Sequence, residues 1–107
     1  MKRLVLLVPI VSACAALPVR ADDAVARGAA VVEQWCRQCH LRGGDPPDPV
    51  MAPSFEEIVT RMGRDRGYFR KFLHEDHFPM TTFRLFEHEK QDVLEWLVAL
   101  QKKQRAR

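Results

Sequence analysis

Apolar residues recur at helical spacing near the start of the chain. Intervals of four, three and four residues separate Val25, Ala29, Val32 and Cys36. Asp22 and Asp23 come just before them, and carboxylates at this position favour a helix N-terminus. The pattern therefore predicts an amphipathic helix from Asp22 to about Cys36.

The last segment of the chain has the same kind of apolar stripe. It consists of Val93, Trp96, Leu97 and Leu100, which share one face of a helix. We predict a helix from about Glu87 to Lys103. Phe86 stands where a Ser or Thr cap is usual, so the start of this helix lacks the usual side-chain cap.

Two shorter helical segments lie between these ends. Ser54 followed by Glu56 and Glu57 is typical of an N-cap and an acidic first turn, and it begins the segment 54–62. The second segment covers 68–76. Gly and Pro residues make 42–53 a loop, and Pro79 does the same for 77–85. Because no segment alternates as a strand does, the predicted class is all-α, with about four short helices and long loops.

The first residues have the layout of a secretory signal. Lys2 and Arg3 precede an uncharged apolar run, Leu4 to Leu17, and small residues lead to Ala21. We predict residues 1–21 as a signal peptide that is removed, and residues 22–107 as one domain with a basic tail from about 101. The expected location is the periplasm.

A second interpretation of the leader concerns Cys14. The residues Val11 to Cys14 resemble a lipobox, in which Cys14 becomes the lipidated first residue. This alternative predicts a membrane-anchored form of the same domain. The residues alone leave both processing routes open.

Removal of the leader changes the charge balance. The whole chain has 17 basic and 14 acidic residues and a pI of about 9.0. Cleavage removes Lys2, Arg3 and Arg20, which leaves 14 of each sign. Four of the remaining basic residues lie in the tail "KKQRAR". Because the chain without its leader has no net charge, the high pI of the whole chain does not indicate nucleic-acid binding, and we predict none.

The stretch "WCRQCH", residues 35–40, carries the chemistry of the chain. Cys36, Cys39 and His40 fit four kinds of site: a redox dithiol, a zinc site, a local disulfide or a covalent haem. A redox dithiol favours the start of a helix, whereas this pair ends one. Zinc needs further ligands, for which His74 and His77 are candidates. A disulfide does not explain His40. In C-x-x-C-H, both thiols bind the vinyl groups of one haem and the histidine binds its iron.

With this motif, the chain resembles a small class I c-type cytochrome, and the resemblance extends from about Ala24 to Leu100. Besides "CRQCH", Gly28 stands where the family has a glycine that lets the first helix cross the last one closely. "APSFEEIV" resembles the segment whose proline carbonyl, here that of Pro53, accepts a hydrogen bond from the proximal histidine. "PMTTFRLFEHEKQDVLEWLVAL" resembles the methionine-ligand loop and last helix, with Lys90 departing from the family pattern.

The resemblance implies a fold of helices and loops wrapped round one haem c, with the N- and C-terminal helices crossing. Cys36 and Cys39 are the expected covalent attachments, His40 the proximal iron ligand and Met80 the distal one. His77 is the rival distal ligand, while Met51, Met62 and His74 are weaker candidates. We expect Met62 to fill the core instead.

The expected function is single-electron transfer between transient redox protein partners, through Fe(III)/Fe(II), without enzymatic activity of its own. Two other classes stay open. One is a haem-based sensor or small haem catalyst with an open sixth position, and the other is a zinc-binding structural module without haem.

Overall fold

The computed structural model describes residues 9–10, 12–17, 20–75 and 84–107. The regular structure in these ranges is entirely helical, which confirms the predicted all-α class for them. The helices are α1 (Ala21–Val31), α2 (Phe55–Thr60), α3 (Arg66–His74) and α4 (Glu87–Arg105), and a π-helical turn (Val32–Cys36) follows α1. Within the same ranges, no helix combines the length and the apolar character needed to cross a bilayer.

The first helix reaches Cys36 as predicted, but its last turn is wider than an α-helix. The backbone N–H of Arg37 donates to the Val32 carbonyl at 3.1 Å, a bond that spans five residues. Such a π turn rotates the residues after it relative to a regular helix. It therefore decides in which direction Trp35 and Cys36 leave the helix.

Helices α1 and α4 cross at Gly28, as the resemblance implied. A Cβ atom on this buried glycine would lie 2.7 Å from the Asp92 carbonyl carbon and 2.9 Å from Trp96 Cβ, and closer still to the Asp92 carbonyl oxygen. Beside this contact, the Arg27 guanidinium donates to both carboxylate oxygens of Asp92 at 2.8 and 2.9 Å. The missing side chain of Gly28 thus sets how closely the two helices approach.

The core lies where α1, α2 and α3 meet α4. Its buried apolar side chains are Val31, Val32, Phe55, Val59, Phe69, Leu73, Val93, Leu94 and Leu97. Burial of these side chains provides the main stabilisation of the helical domain. Gln101 is also buried, and its side-chain amide donates to the carbonyls of Val59 and Arg64. Through these bonds α4 is joined to the connection between α2 and α3.

Side-chain caps account for two predicted helix starts. The Ser54 hydroxyl accepts a hydrogen bond from the Glu57 N–H at 3.2 Å, which confirms the predicted cap of α2. Phe86 has no acceptor in its side chain, but the Glu89 carboxylate accepts from the Phe86 N–H at 2.9 Å. This half of a capping box lets α4 begin at Glu87, as predicted, without a Ser or Thr cap.

Two expectations are corrected by the structure. Met62 is not a core residue: α2 ends at Thr60, and Met62 is 96% exposed in the connection that follows. The last helix ends two residues later than predicted, at Arg105 instead of about Lys103, so most of the basic tail is helical and is anchored by buried Gln101. In both cases the helix boundary, which the periodicity located only approximately, decides the environment of the side chain.

Candidate functional site

Cys36, Cys39 and His40 lie on one tight turn at the end of the π-helical segment. The N–H groups of Cys39 and His40 both donate to the Cys36 carbonyl, at 3.1 and 2.9 Å. The turn therefore gathers two thiols and an imidazole over a short length of chain. This is the arrangement that C-x-x-C-H needs if all three side chains are to serve one group.

The two thiols differ in environment. Both are free of disulfide bonds; Cys36 is partly buried and Cys39 is exposed. Burial raises the pKa of the Cys36 thiol to about 11. Cys36 thus stays a protonated thiol at neutral pH, whereas a redox dithiol needs a nucleophilic thiolate. The environment of Cys36 therefore argues against a redox dithiol.

The imidazole of His40 has one nitrogen fixed by the backbone. Its Nδ1 lies 2.8 Å from the carbonyl oxygen of Pro53, which is the contact expected from the resemblance. Because a carbonyl only accepts, the hydrogen bond requires a proton on Nδ1. In the neutral imidazole this leaves Nε2 unprotonated, and Nε2 is then the nitrogen able to bind a metal.

A short backbone bridge brings Pro53 to this position. The Ala52 N–H donates to the Cys39 carbonyl at 2.7 Å, and the Leu41 N–H donates to the Ala52 carbonyl at 3.1 Å. The bridge joins the end of the proline-rich loop to the motif. The Pro53 carbonyl therefore has a defined place although the loop before it has no regular structure.

Phe55 supports the other side of the motif. Its ring stacks on the His40 ring, with centroids 4.5 Å apart and planes at 27°, and meets the Trp96 ring edge-on at 5.2 Å. Trp96 in turn lies at the α1–α4 crossing, against Gly28. A continuous set of contacts thus links the imidazole to the helix crossing. The sequence alone does not predict this stacking, because it depends on how α2 packs against the motif.

Charged side chains beside the motif form a small cluster. The Glu33 carboxylate accepts from Arg42 Nη1 at 2.7 Å and from Arg37 Nε at 3.3 Å. These hydrogen bonds lower the pKa of Glu33, mainly through Arg42. Arg37 also donates to the Leu41 carbonyl at 2.9 Å and lies 5.4 Å from the Phe55 ring centroid. Two arginines therefore share one carboxylate next to Cys36.

His74 is engaged away from the motif. Its Nδ1 lies 2.7 Å from the Arg70 carbonyl and its Nε2 lies 2.9 Å from the Glu87 carboxylate. Both ring nitrogens thus have partners, which leaves none for a metal. Among the residues that the structure describes, no three His, Cys, Asp or Glu side chains are grouped to hold a metal ion. The zinc interpretation loses the support it had from His74.

The remaining predicted residues divide between described and undescribed parts of the chain. Met80 and His77 lie outside the described residues. Arg61 pairs with Glu57 and Arg66 pairs with Glu95, both at 2.6 Å. Arg64 stacks over the Tyr68 ring at 4.0 Å, and its buried Nε has no hydrogen-bond partner in the described structure.

The donor set at the motif fits a covalently attached haem. It offers two free thiols at the required spacing and an imidazole whose Nδ1 already donates a hydrogen bond. In the neutral imidazole, Nε2 then carries no proton and is able to bind iron. Two surface cavities, of about 310 and 190 Å³, lie elsewhere: Tyr68 and Phe72 line the first, and Val25 and Trp96 the second. The fit therefore rests on the chemistry of the motif rather than on a preformed cavity.

Comparisons of this chain with protein-family models, with characterised proteins and with solved structures give no match. The family resemblance accordingly rests on the residues and contacts described above.

Proposed function

We propose that the chain is an exported monohaem c-type cytochrome that transfers single electrons between protein partners. The observation that carries the proposal is the hydrogen bond from His40 Nδ1 to the Pro53 carbonyl, at 2.8 Å, within a C-x-x-C-H turn. This bond orients the imidazole and fixes its tautomer, as second-shell contacts do for histidine ligands. The sequence gives independent support through its secretory leader, because haem attachment of this kind occurs outside the cytosol.

Each residue of the motif has a distinct role in this proposal. Cys36 and Cys39 hold the haem through thioether bonds, and His40 binds its iron through Nε2. The Pro53 carbonyl accepts the hydrogen bond from Nδ1 of this imidazole, and the Phe55 ring stacks on one of its faces. When bound, the haem supplies a one-electron Fe(III)/Fe(II) couple.

Met80 is the proposed second axial ligand. A thioether is a soft ligand that favours ferrous iron, so His/Met ligation raises the reduction potential relative to two histidines. If His40 and Met80 both held the iron, small molecules would bind it slowly, and the protein would act as an electron carrier and not as an enzyme. Its redox partners are expected to dock transiently near Cys36 and Cys39 through a small interface.

The test is to produce the protein in an exporting host that carries haem-maturation machinery, and to record visible and near-infrared spectra. We expect a Soret band that stays with the chain after denaturation, and a weak near-infrared sulfur-to-iron band in the ferric protein. His40→Ala should remove the low-spin spectrum. Met80→Ala should remove the near-infrared band and lower the potential, while Met62→Ala, at an exposed position, should change neither.

The outcomes separate the three classes of protein. A haem protein that lacks the sulfur-to-iron band and binds carbon monoxide rapidly would be a sensor or a catalyst with an open sixth position. A colourless protein with stoichiometric zinc would be a structural module. Either result would overturn the proposed electron carrier.

A further inference from the structure

Unpaired basic side chains are concentrated at one end of the helical domain. They are Lys102, Lys103 and Arg105 in the last turns of α4, and Arg107 just beyond it. All four are exposed, and none has an ion-pair partner in the part of the chain that the structure describes. The end of α4 therefore carries free positive charge.

The rest of the domain has the opposite character. Between residues 22 and 101, ten basic residues face 14 acidic ones. Many of these cations are paired, for example in the ion pairs Arg27–Asp92, Arg61–Glu57, Arg66–Glu95 and Lys71–Glu75. The domain is thus an acidic body with one positive end, and this charge separation orients it in an electric field.

An exposed apolar side chain lies in the connection that Gln101 holds beside the last turns of α4. Buried Gln101 donates to the carbonyls of Val59 and Arg64, which holds the connection between α2 and α3 beside the last turns of α4. Met62 lies in this connection and is 96% exposed. We call Met62 and the four unpaired basic residues the basic end.

The chain also enters the domain on this side. Val25 of α1 and Lys103 of α4 line the same cavity, whereas Gly28, one turn later in α1, contacts Asp92. The two helices therefore run antiparallel, and the start of α1 at Ala21 lies towards the C-terminal end of α4. The residues before Ala21 belong to the apolar leader with its lipobox-like Cys14.

We propose that the basic end is a docking surface for an anionic lipid membrane. Lysines and arginines are attracted to anionic headgroups, and an exposed thioether beside them inserts its apolar part into the interface. An acidic protein surface would use the charges but not the exposed Met62. The motif at Cys36 lies about 22 Å further along the first helix, at the usual helical rise, so it faces away from the membrane towards soluble partners.

The test is sedimentation of the exported protein, with the N-terminus that the host leaves, with vesicles of phosphatidylcholine and phosphatidylglycerol in equal parts. We expect binding that decreases with salt and is much weaker to vesicles of phosphatidylcholine alone. Lys102→Gln/Lys103→Gln should lower the bound-to-free ratio about tenfold or more. Met62→Ser should lower it by a smaller factor without changing the salt dependence.

A matched control is the double variant Arg70→Gln/Lys71→Gln, which removes the same charge from an exposed site on α3. We expect it to bind nearly as well as the parent protein. Equal losses in the two double variants, or binding to soluble polyglutamate but not to vesicles, would overturn the proposal. The salt dependence of the parent protein tests it even if a variant fails to fold. None of these measurements detects haem. A protein that does not bind the vesicles could therefore still be the proposed cytochrome, and the two proposals are tested separately.

Discussion

Gly28 at the α1–α4 crossing and Cys36 in the C-x-x-C-H motif are eight residues apart in sequence, but different interactions stabilise the two regions. At the crossing, Gly28 meets the backbone of Asp92, and both residues are buried. At the motif, two thiols stay free, and a few hydrogen bonds hold the backbone and one imidazole nitrogen. Packing fixes the first region, whereas hydrogen bonds orient reactive groups in the second. A substitution should therefore affect stability at the crossing and chemistry at the motif.

The largest expected effect on stability is that of Gly28→Ala. The new Cβ would collide with the Asp92 backbone, which has no rotamer to change, so the two helices must separate. We expect a loss of about 2–3 kcal/mol in the free energy of unfolding, in the upper range for overpacked sites. Denaturant unfolding of the purified protein, compared with that of the parent, measures it.

Gly67→Ala provides the control for this substitution. A Cβ at Gly67, in the first turn of α3, would meet only the Asp65 carboxylate at an ordinary 3.4 Å. Alanine there should stabilise the protein by about 0.4–1 kcal/mol, because it restricts the unfolded chain. If both variants shifted stability equally, the close crossing at Gly28 would be wrong.

Phe55→Leu tests the contact that joins the two regions. It removes the ring that stacks on His40 and meets Trp96, while the site stays apolar. We expect a loss of about 1–2 kcal/mol in the free energy of unfolding. Nitrogen NMR should also show shifted His40 ring signals, because the ring stacked on the imidazole is lost.

Phe86→Leu is the matching change at an exposed ring. Phe86 is 68% exposed, so we expect its replacement to change stability by less than about 0.5 kcal/mol. Its effect on the His40 ring signals should be nil. If Phe55→Leu and Phe86→Leu gave the same His40 ring signals, the stacking of Phe55 on His40 would be wrong.

The smallest expected effect belongs to the ion pair between His74 and Glu87, which joins the end of α3 to the start of α4. Both partners of the His74 ring, a carbonyl and a carboxylate, only accept hydrogen bonds, so the geometry requires the imidazolium. The Arg70 carbonyl and then Glu87 raise the pKa of His74, against a lowering by Lys90, and His74 lowers the pKa of Glu87.

The sign of the pH dependence follows from these two directions. The stabilisation by His74 is complete below its ordinary pKa of 6.5 and is lost as pH rises through the raised value. The stabilisation by Glu87 is complete above its ordinary pKa of 4.5 and is lost as pH falls through its lowered pKa. His74→Gln should therefore reduce the melting temperature slightly between these values and hardly at alkaline pH. A difference that increases towards alkaline pH would contradict this interpretation.

Features determined by local sequence were predictable, whereas features determined by packing were predicted only where the family resemblance implied them, as at Gly28 and Pro53. Ser54 capped α2 as predicted, because a cap needs only the next three residues. Met62 was misplaced because the apolar pattern continued past Thr60, where the helix ends. The stacking of Phe55 on His40 and the π turn before Cys36 depend on how distant elements meet. The C-x-x-C-H motif was recognisable because its chemistry requires a fixed spacing.

The measurement that tests the central claim most directly is the intact mass of the exported protein under denaturing conditions, after production with haem-maturation machinery. The account predicts a polypeptide that is heavier by one haem, and a Cys36→Ala/Cys39→Ala variant that has the mass of the polypeptide alone. A parent protein with only the mass of its processed polypeptide would contradict the account, because no haem would then be attached through Cys36 and Cys39.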